Sequence, residues 1–208
     1  MNSKLEIQLE QPDDYDEVER LTFDAFETME LPGRTHTDEH YLAHLLRSQT
    51  AAIPELDFVG ILDGEMVANI MYTRSKIIRP DGGKIETATF GPVSVKPTLH
   101  NKGIGTAMIR HSLNEARNLG FGAIVIVGHP TYYPRFGFKP ASGFNLAMPD
   151  GSILDAFMAL ELKEDYLGTV GGKWYEDDVF HIDETAFTEW DNHFRQGKHI
   201  TFNKLAGK

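Results

Sequence analysis

Apolar and polar residues alternate over Leu5-Glu6-Ile7-Gln8-Leu9, the two-residue period of a strand. Pro12, Asp13 and Asp14 then open a helix whose apolar positions Val18, Leu21, Phe23, Ala25 and Phe26 carry it towards Glu30. Leu31-Pro32-Gly33 breaks that helix, and a second runs from Asp38 to Gln49. Its buried stripe is Tyr41, Leu42, Leu45 and Leu46, which leaves His40 and His44 on a solvated face or at a pocket rim. A run of strands follows. Phe58 to Leu62 turns at Asp63-Gly64 into a long strand from Met66 to Ile78, and Pro80-Asp81-Gly82-Gly83 turns the chain back along Lys84 to Val95.

Gly91-Pro92 interrupts this last strand. Proline has no N–H to give to a ladder, so the pair predicts a bulge or an edge. The loop Lys96 to Lys102 and Gly103-Ile104-Gly105 lead into a helix from Thr106 to Leu119, closed by Gly120. Ala123 to Val127 is wholly apolar, as a central strand is. A short helical turn over Tyr132 to Phe138 comes next, then a hairpin through Pro149-Asp150-Gly151-Ser152 returning along Ala156 to Leu162. A further helix is expected from Asp183 to Phe194, with Trp174-Tyr175, Phe187, Trp190 and Phe194 packing on the core or against a second copy in a homodimer. The pattern describes one α/β (α+β) domain, with a core over residues 1–162 and a C-terminal extension over 163–208 packed on it.

Composition narrows the chemistry. The 208 residues contain no cysteine, which excludes disulfides, thiolate metal sites and an acyl-cysteine intermediate. A formal charge of -11 argues against nucleic acid as a partner. The charge is uneven: residues 1–60 hold 4 basic and 14 acidic side chains, whereas residues 61–160 hold 10 and 7, so the middle suits a polyanionic ligand. The longest aliphatic run is far shorter than the roughly 20 residues of a membrane helix, and the N-terminal stretch lacks the apolar segment of a secretory signal. No membrane partner and a cytoplasmic location are expected. His36, His40 and His44 share a four-residue spacing but lack the Glu of a zincin motif, so no metal is expected. No Gly-x-Ser-x-Gly elbow occurs.

A glycine pair at the mouth of a helix lets backbone N–H groups approach a phosphate, whose charge the helix dipole favours. Lys96 and Lys102 flank that turn. A Rossmann fingerprint needs glycine at Met108, and a P-loop needs Gly-Lys-Ser/Thr, so both fail. Phe90-Gly91-Pro92-Val93-Ser94-Val95 followed by His100-Asn101-Lys102-Gly103-Ile104-Gly105-Thr106 instead resembles the acyl-CoA-binding motif of GNAT acetyltransferases, Gln/Arg-x-x-Gly-x-Gly/Ala after a hydrophobic strand. Tyr133-Pro134-Arg135-Phe136-Gly137-Phe138 resembles the family's second signature, Tyr-x-x-x-Gly-Phe. The resemblance spans residues 4–162.

It implies the GNAT fold: a central mixed, mostly antiparallel sheet with helices on both faces. It also implies acetyl-CoA as co-substrate, without a metal. The amides of Asn101, Lys102, Gly103, Ile104, Gly105 and Thr106 would then cradle the pyrophosphate, and the main chain of Val93, Ser94 and Val95 would meet the pantetheine. His100 stands where Gln or Arg is usual. Tyr133 takes the place of the general acid that protonates the departing thiolate, its phenol matched in acidity to a thiol. The implied reaction is N-acetylation of a small-molecule or peptide amine by direct attack in a ternary complex. The alternative is a non-catalytic acyl-CoA-binding or regulatory module. Thr89 stands where many relatives carry a Glu base; Glu86 falls on the opposite face, and His129 reads as a loop histidine or a proton relay.

Overall fold

The computed structural model describes residues 4–27, 37–169 and 171–197. In chain order these form β1 (Glu6–Leu9), α1 (Tyr15–Glu27), α2 (Glu39–Leu46), β2 (Phe58–Leu62), β3 (Glu65–Ile78) and β4 (Lys84–Val95). There follow α3 (Ile104–Asn118), β5 (Ala123–Val127), β6 (Lys139–Pro140), β7 (Leu146–Ala147), β8 (Phe157–Glu161), β9 (Gly172–Tyr175) and α4 (Glu184–Arg195). All nine strands belong to one mixed, mostly antiparallel sheet in the order β1-β2-β3-β4-β5-β8-β6, with β9 on the far end of β3 and β7 beside β9. The first hairpin is set by its turn: Asp63 and Gly64 both have positive φ, the twist a two-residue β-turn requires.

Two irregularities shape the sheet. In β3 and β4, Tyr72 pairs with Phe90 and Ile70 with Val93, so Gly91 and Pro92 together oppose Met71 alone. This is the bulge expected at Gly91-Pro92, and the peptide between the two is cis. Next, β4 and β5 run parallel but pair only at Ala88 and Ile124. β5 pairs along its whole length with β8 instead. The sheet is therefore two half-sheets joined at one residue pair and parted beyond it.

Helix α3 covers one face. Ile104, Met108, Ile109, Leu113 and Ala116 pack against Ile70, Tyr72, Phe90, Ile124 and Ile126 in the largest apolar cluster. Helices α1 and α2 cover the other face, Val18 and Leu21 lying on Val59 and Met66, and Leu42 and Leu46 on Met71. Helix α4, capped by the Asp183 carboxylate on the Ala186 N–H, closes over them.

That last layer alters the reading of α2. His40 and His44 are buried, not solvated: Phe23, Phe187, Trp190 and Phe194 surround the His40 ring at 4.8–5.9 Å, and its Nε2–H donates to Asp191. His44 donates to the buried Glu19, which also binds Arg47. His36 lies outside the described residues. The hairpin expected at Pro149–Ser152 also differs. Its turn forms, but β8 pairs with β5 and β6, while the residues before the turn, β7, pair with β9. Bare strand edges elsewhere in the sheet took both arms, and Asp150-Gly151 alone cannot specify which strands pair.

Candidate active site

The turn between β4 and α3 is built for an anion. Asn101 and Gly103 sit at positive φ, and Gly103 caps α3 with no side-chain hydrogen bond to its N-terminus. The first intrahelical bond comes from Ala107 to Gly103, so the amides of Ile104, Gly105 and Thr106 face outward without helix partners. A Cβ on Gly105 would lie 3.4 Å from both the Tyr132 hydroxyl and Val95 Cγ2, so a methyl group is accommodated and a longer side chain would crowd the turn. Lys102 is exposed beside the turn, whereas Lys96 is drawn into an ion pair with Glu65.

The strand end beside this turn presents its backbone to the parted sheet. Lys96 N–H donates to Val67, so by antiparallel alternation Ser94 shares hydrogen bonds with Asn69, while Val93 and Val95 turn their amides away from β3 into the gap. Of these, the Val95 carbonyl accepts from His100 Nε2 at 2.8 Å. His100 thereby ties the turn to the strand end. Ser94 faces the other way, its hydroxyl donating to Thr22, which donates to Asn69.

Tyr133 sits across the gap from β4, on the first residue of a 3-10 turn over Tyr133–Phe136. Its ring lies against the Gly128 backbone and is walled by Phe90 at 5.7 Å, Phe138 at 5.8 Å and Tyr132 at 5.3 Å. Burial in this half-buried apolar setting, with the Tyr132 phenol and the Glu39 carboxylate adding smaller effects, pushes its pKa up to about 12. The phenol is thus a firmly protonated donor, less acidic than the thiol-matched group expected from sequence. A thiol entering the same apolar pocket is weakened as an acid in the same direction.

The base candidates fare differently. His129 is exposed and its Nδ1 lies 3.1 Å from the Thr131 hydroxyl. Glu86 is exposed and paired with Lys84 at 3.2 Å. Thr89 is buried opposite Thr73 on the face away from α3. Sequence reasoning missed Phe180, on a 3-10 turn over Asp178–Phe180. A Cβ on Gly91 would lie 3.8 Å from its ring, so the C-terminal segment reaches the bulge itself. Three acids, Glu176-Asp177-Asp178, stand just before it, and such a run reads as solvated surface.

Compared with models of known families, residues 6–141 match the acetyltransferase (GNAT) domain. The chain belongs to the GNAT acetyltransferase family.

Two curated relatives of this GNAT chain come from Escherichia coli. The uncharacterized N-acetyltransferase YjhQ of strain K12 is 30% identical over 105 residues, covering 49% of this chain and 55% of that protein. The uncharacterized N-acetyltransferase YhbS of the same strain is 24% identical over 110 residues, covering 53% and 64%. The chain therefore spans somewhat over half the length of each. Among solved structures, YhbS in complex with CoA superposes with a TM-score of 0.75 at 22% identity, over 88% of this chain and 94% of that one. A GNAT family acetyltransferase from Brucella melitensis in complex with acetyl-CoA gives 0.66 at 26% identity, over 85% and 98%. The GNAT fold is thus present, with its helices on both faces of the sheet. No described helix is long and apolar enough to cross a membrane, and no group of three or more His, Asp or Glu residues among the described residues is arranged to hold a metal ion.

Proposed function

We propose that this GNAT chain transfers an acetyl group from acetyl-CoA to an amine by direct attack in a ternary complex. The observation that carries the reading is the parting of β4 from β5 after one shared pair, with the uncapped N-terminus of α3 at its mouth and Tyr133 on its far wall. An elongated ligand with amides in its middle and phosphates at one end matches that gap. The Val93 and Val95 amides meet its amides, and the turn from His100 to Thr106 takes its phosphates. The two neighbours solved with CoA and acetyl-CoA support the choice of ligand. His100 acts by holding the turn, and Ser94 by anchoring the strand to α1.

In the reaction, the neutral amine nitrogen bonds to the thioester carbon, the C–S bond breaks, Tyr133 gives its proton to the leaving sulfur, and the proton that nitrogen sheds on becoming an amide restores the phenol. No enzyme nucleophile is required, in keeping with a chain that has no cysteine. The acceptor enters on the side of Phe180 and α2, where Gly91 has no side chain of its own and the Phe180 ring stands 3.8 Å from where a Cβ would be. Residues 163–208 are read as an extension of the 1–162 core, and Phe180 within it stands on this side.

Thermal unfolding with and without acetyl-CoA tests the coenzyme assignment. At 100 times its dissociation constant a ligand adds about 2.7 kcal/mol, or roughly 5–11 °C for a chain of this size. A saturable rise that is lost in Gly105→Leu is the expected result. No rise at millimolar coenzyme overturns the assignment.

A further inference from the structure

The face of the gap turned away from α3 carries a chemistry of its own. β4 and β5 pair in parallel at Ala88 and Ile124, so three residues on, Gly91 stands level with Val127 across the gap. Phe90, Ile124 and Ile126 pack under α3, so by alternation Gly91 and Val127 both face the other way. Phe180 stands over Gly91 on one lip. On the other lip Val127 is 48% exposed, although Val125, one step back on the same face, is buried.

Val127 has apolar company. Phe157 pairs with Val127, and its N–H bonds the Leu154 carbonyl, which brings Ile153 and Leu154 to the same strand end. Ile153 is 64% exposed and Leu154 44%. Five large apolar side chains are exposed among the described residues, and three of them are these. The other two lie elsewhere, Leu9 on the outer strand β1 and Leu119 just past the end of α3. A single exposed apolar residue needs no explanation. Three at one strand end, beside a gap already lipped by an aromatic ring, form a surface suited to an apolar ligand.

A charge stands above this surface. Helix α2 packs across β4 and β3, and the chain beyond its C-terminus bridges from Ala52 to Thr73 on the edge of β3 away from β4. Its N-terminus therefore points over β4 towards the gap. Glu39, the first residue of α2, shares the sheet-facing stripe of Leu42, Ala43 and Leu46, which pack with Met71 and Val179. It is half-buried one turn beyond them, and its carboxylate is near enough to the Tyr133 phenol to oppose its ionisation.

We propose that the acceptor is a small amphiphilic primary amine, its ammonium drawn in by Glu39 and its apolar body laid between Phe180 and the surface of Val127, Ile153 and Leu154. The proposal rests on the acyl-transfer reading above and names the class of its acceptor. A polyamine or an amino sugar would set polar groups against these side chains without partners. The nitrogen attacks in its neutral form, so Glu39 acts in capturing the acceptor and is read in its KM.

The test follows thiol release from acetyl-CoA with a thiol-reactive dye, to which a cysteine-free chain contributes no background. Phenethylamine is the probe acceptor, with ethanolamine and spermidine as polar comparisons, and the thermal shift with acetyl-CoA is recorded for every variant. kcat/KM for phenethylamine is expected to exceed that for ethanolamine by about 100-fold or more. Val127→Asn combined with Leu154→Asn, both at exposed positions, should lower the phenethylamine value by about 10-fold and leave the ethanolamine value little changed. Glu39→Gln should raise KM for phenethylamine by about 10-fold with the acetyl-CoA shift preserved, the deficit narrowing as pH rises and the amine loses its charge. Ethanolamine or spermidine turned over as well as phenethylamine overturns the acceptor class while leaving acyl transfer intact. Wild-type kinetics in either variant overturns it too, as does bound acetyl-CoA with no thiol release to any probe. Absence of acetyl-CoA binding overturns the acyl-transfer reading itself.

Discussion

Tyr133 lies so close to Gly128 that a Cβ on the glycine would fall 2.4 Å from Cε2 of the phenol ring. The proposed general acid is therefore seated on bare backbone at the end of β5, and its position depends on a residue with no side chain. Gly128→Ala forces the ring off this seat. We expect a loss of about 1–3 kcal/mol in stability, read by denaturant unfolding, and a fall in turnover larger than any change in acetyl-CoA affinity.

Tyr133→Phe keeps the ring and removes the proton. Turnover should drop by about 100-fold or more while the acetyl-CoA dissociation constant, measured by calorimetry, stays within about twofold. With the phenol's pKa pushed up to about 12, Tyr133 contributes no limb to the pH–rate profile in the neutral range. A basic limb near neutrality that disappears in Tyr133→Phe would contradict this assignment.

Asp57 predicts a pH dependence of stability. Its carboxyl side chain accepts the Tyr72 N–H at 2.8 Å just before β2 begins, and burial raises its pKa from 3.8 to about 7. The folded chain holds this proton up to about pH 7, while the unfolded chain releases it near 3.8. Asp57 therefore costs stability increasingly as pH rises between those values, and the cost is complete above them. Asp57→Asn keeps the acceptor for Tyr72 and removes the charge. It should raise stability at about pH 8 by roughly 2–4 kcal/mol and leave it little changed near pH 4, as urea unfolding at the two pH values would show.

His40 works in the opposite direction. Burial holds its pKa below the ordinary 6.5, against the pull of Asp191, so the unfolded chain takes up a proton that the folded chain refuses. Stability is lost as pH falls below 6.5. His40→Phe, which puts carbon where Nδ1 has no partner among the described residues, should narrow the difference in melting temperature between about pH 7.5 and pH 5.

Local pattern made β2, β3, β4, α3 and β5 legible, because each is amphipathic or uniformly apolar and bounded by a turn with its own chemistry. The irregularity at Gly91-Pro92 was readable for the same reason: a missing N–H is a property of the residue alone. Pairings between distant segments were not readable. Gly172-Lys173-Trp174-Tyr175 has too few residues to show alternation, and its place beside β3 follows from an edge that β2 leaves open. His40 and His44 looked solvated because the helix that buries them comes about 140 residues later in the chain. For the site itself, the glycines and Tyr133 were visible in the motif. That Val93 and Val95 turn to the gap while Ser94 turns to α1 depends on which ladder rungs bond, and this was visible only in the folded chain.

The single pair between Ala88 and Ile124 makes the sheet a zipper fastened at one tooth. Past that tooth, each half-sheet keeps its own hydrogen bonds to β3 or to β8, and the Val93 and Val95 N–H groups face the gap with no ladder partner across it. A ligand with amides of its own, lying between the strands, would serve as the absent neighbour of both. Binding there would finish the β-ladder, and amide-hydrogen exchange at Val93 and Val95 should slow on binding more than at residues already laddered. Departure of the product would reopen the seam for the next turnover.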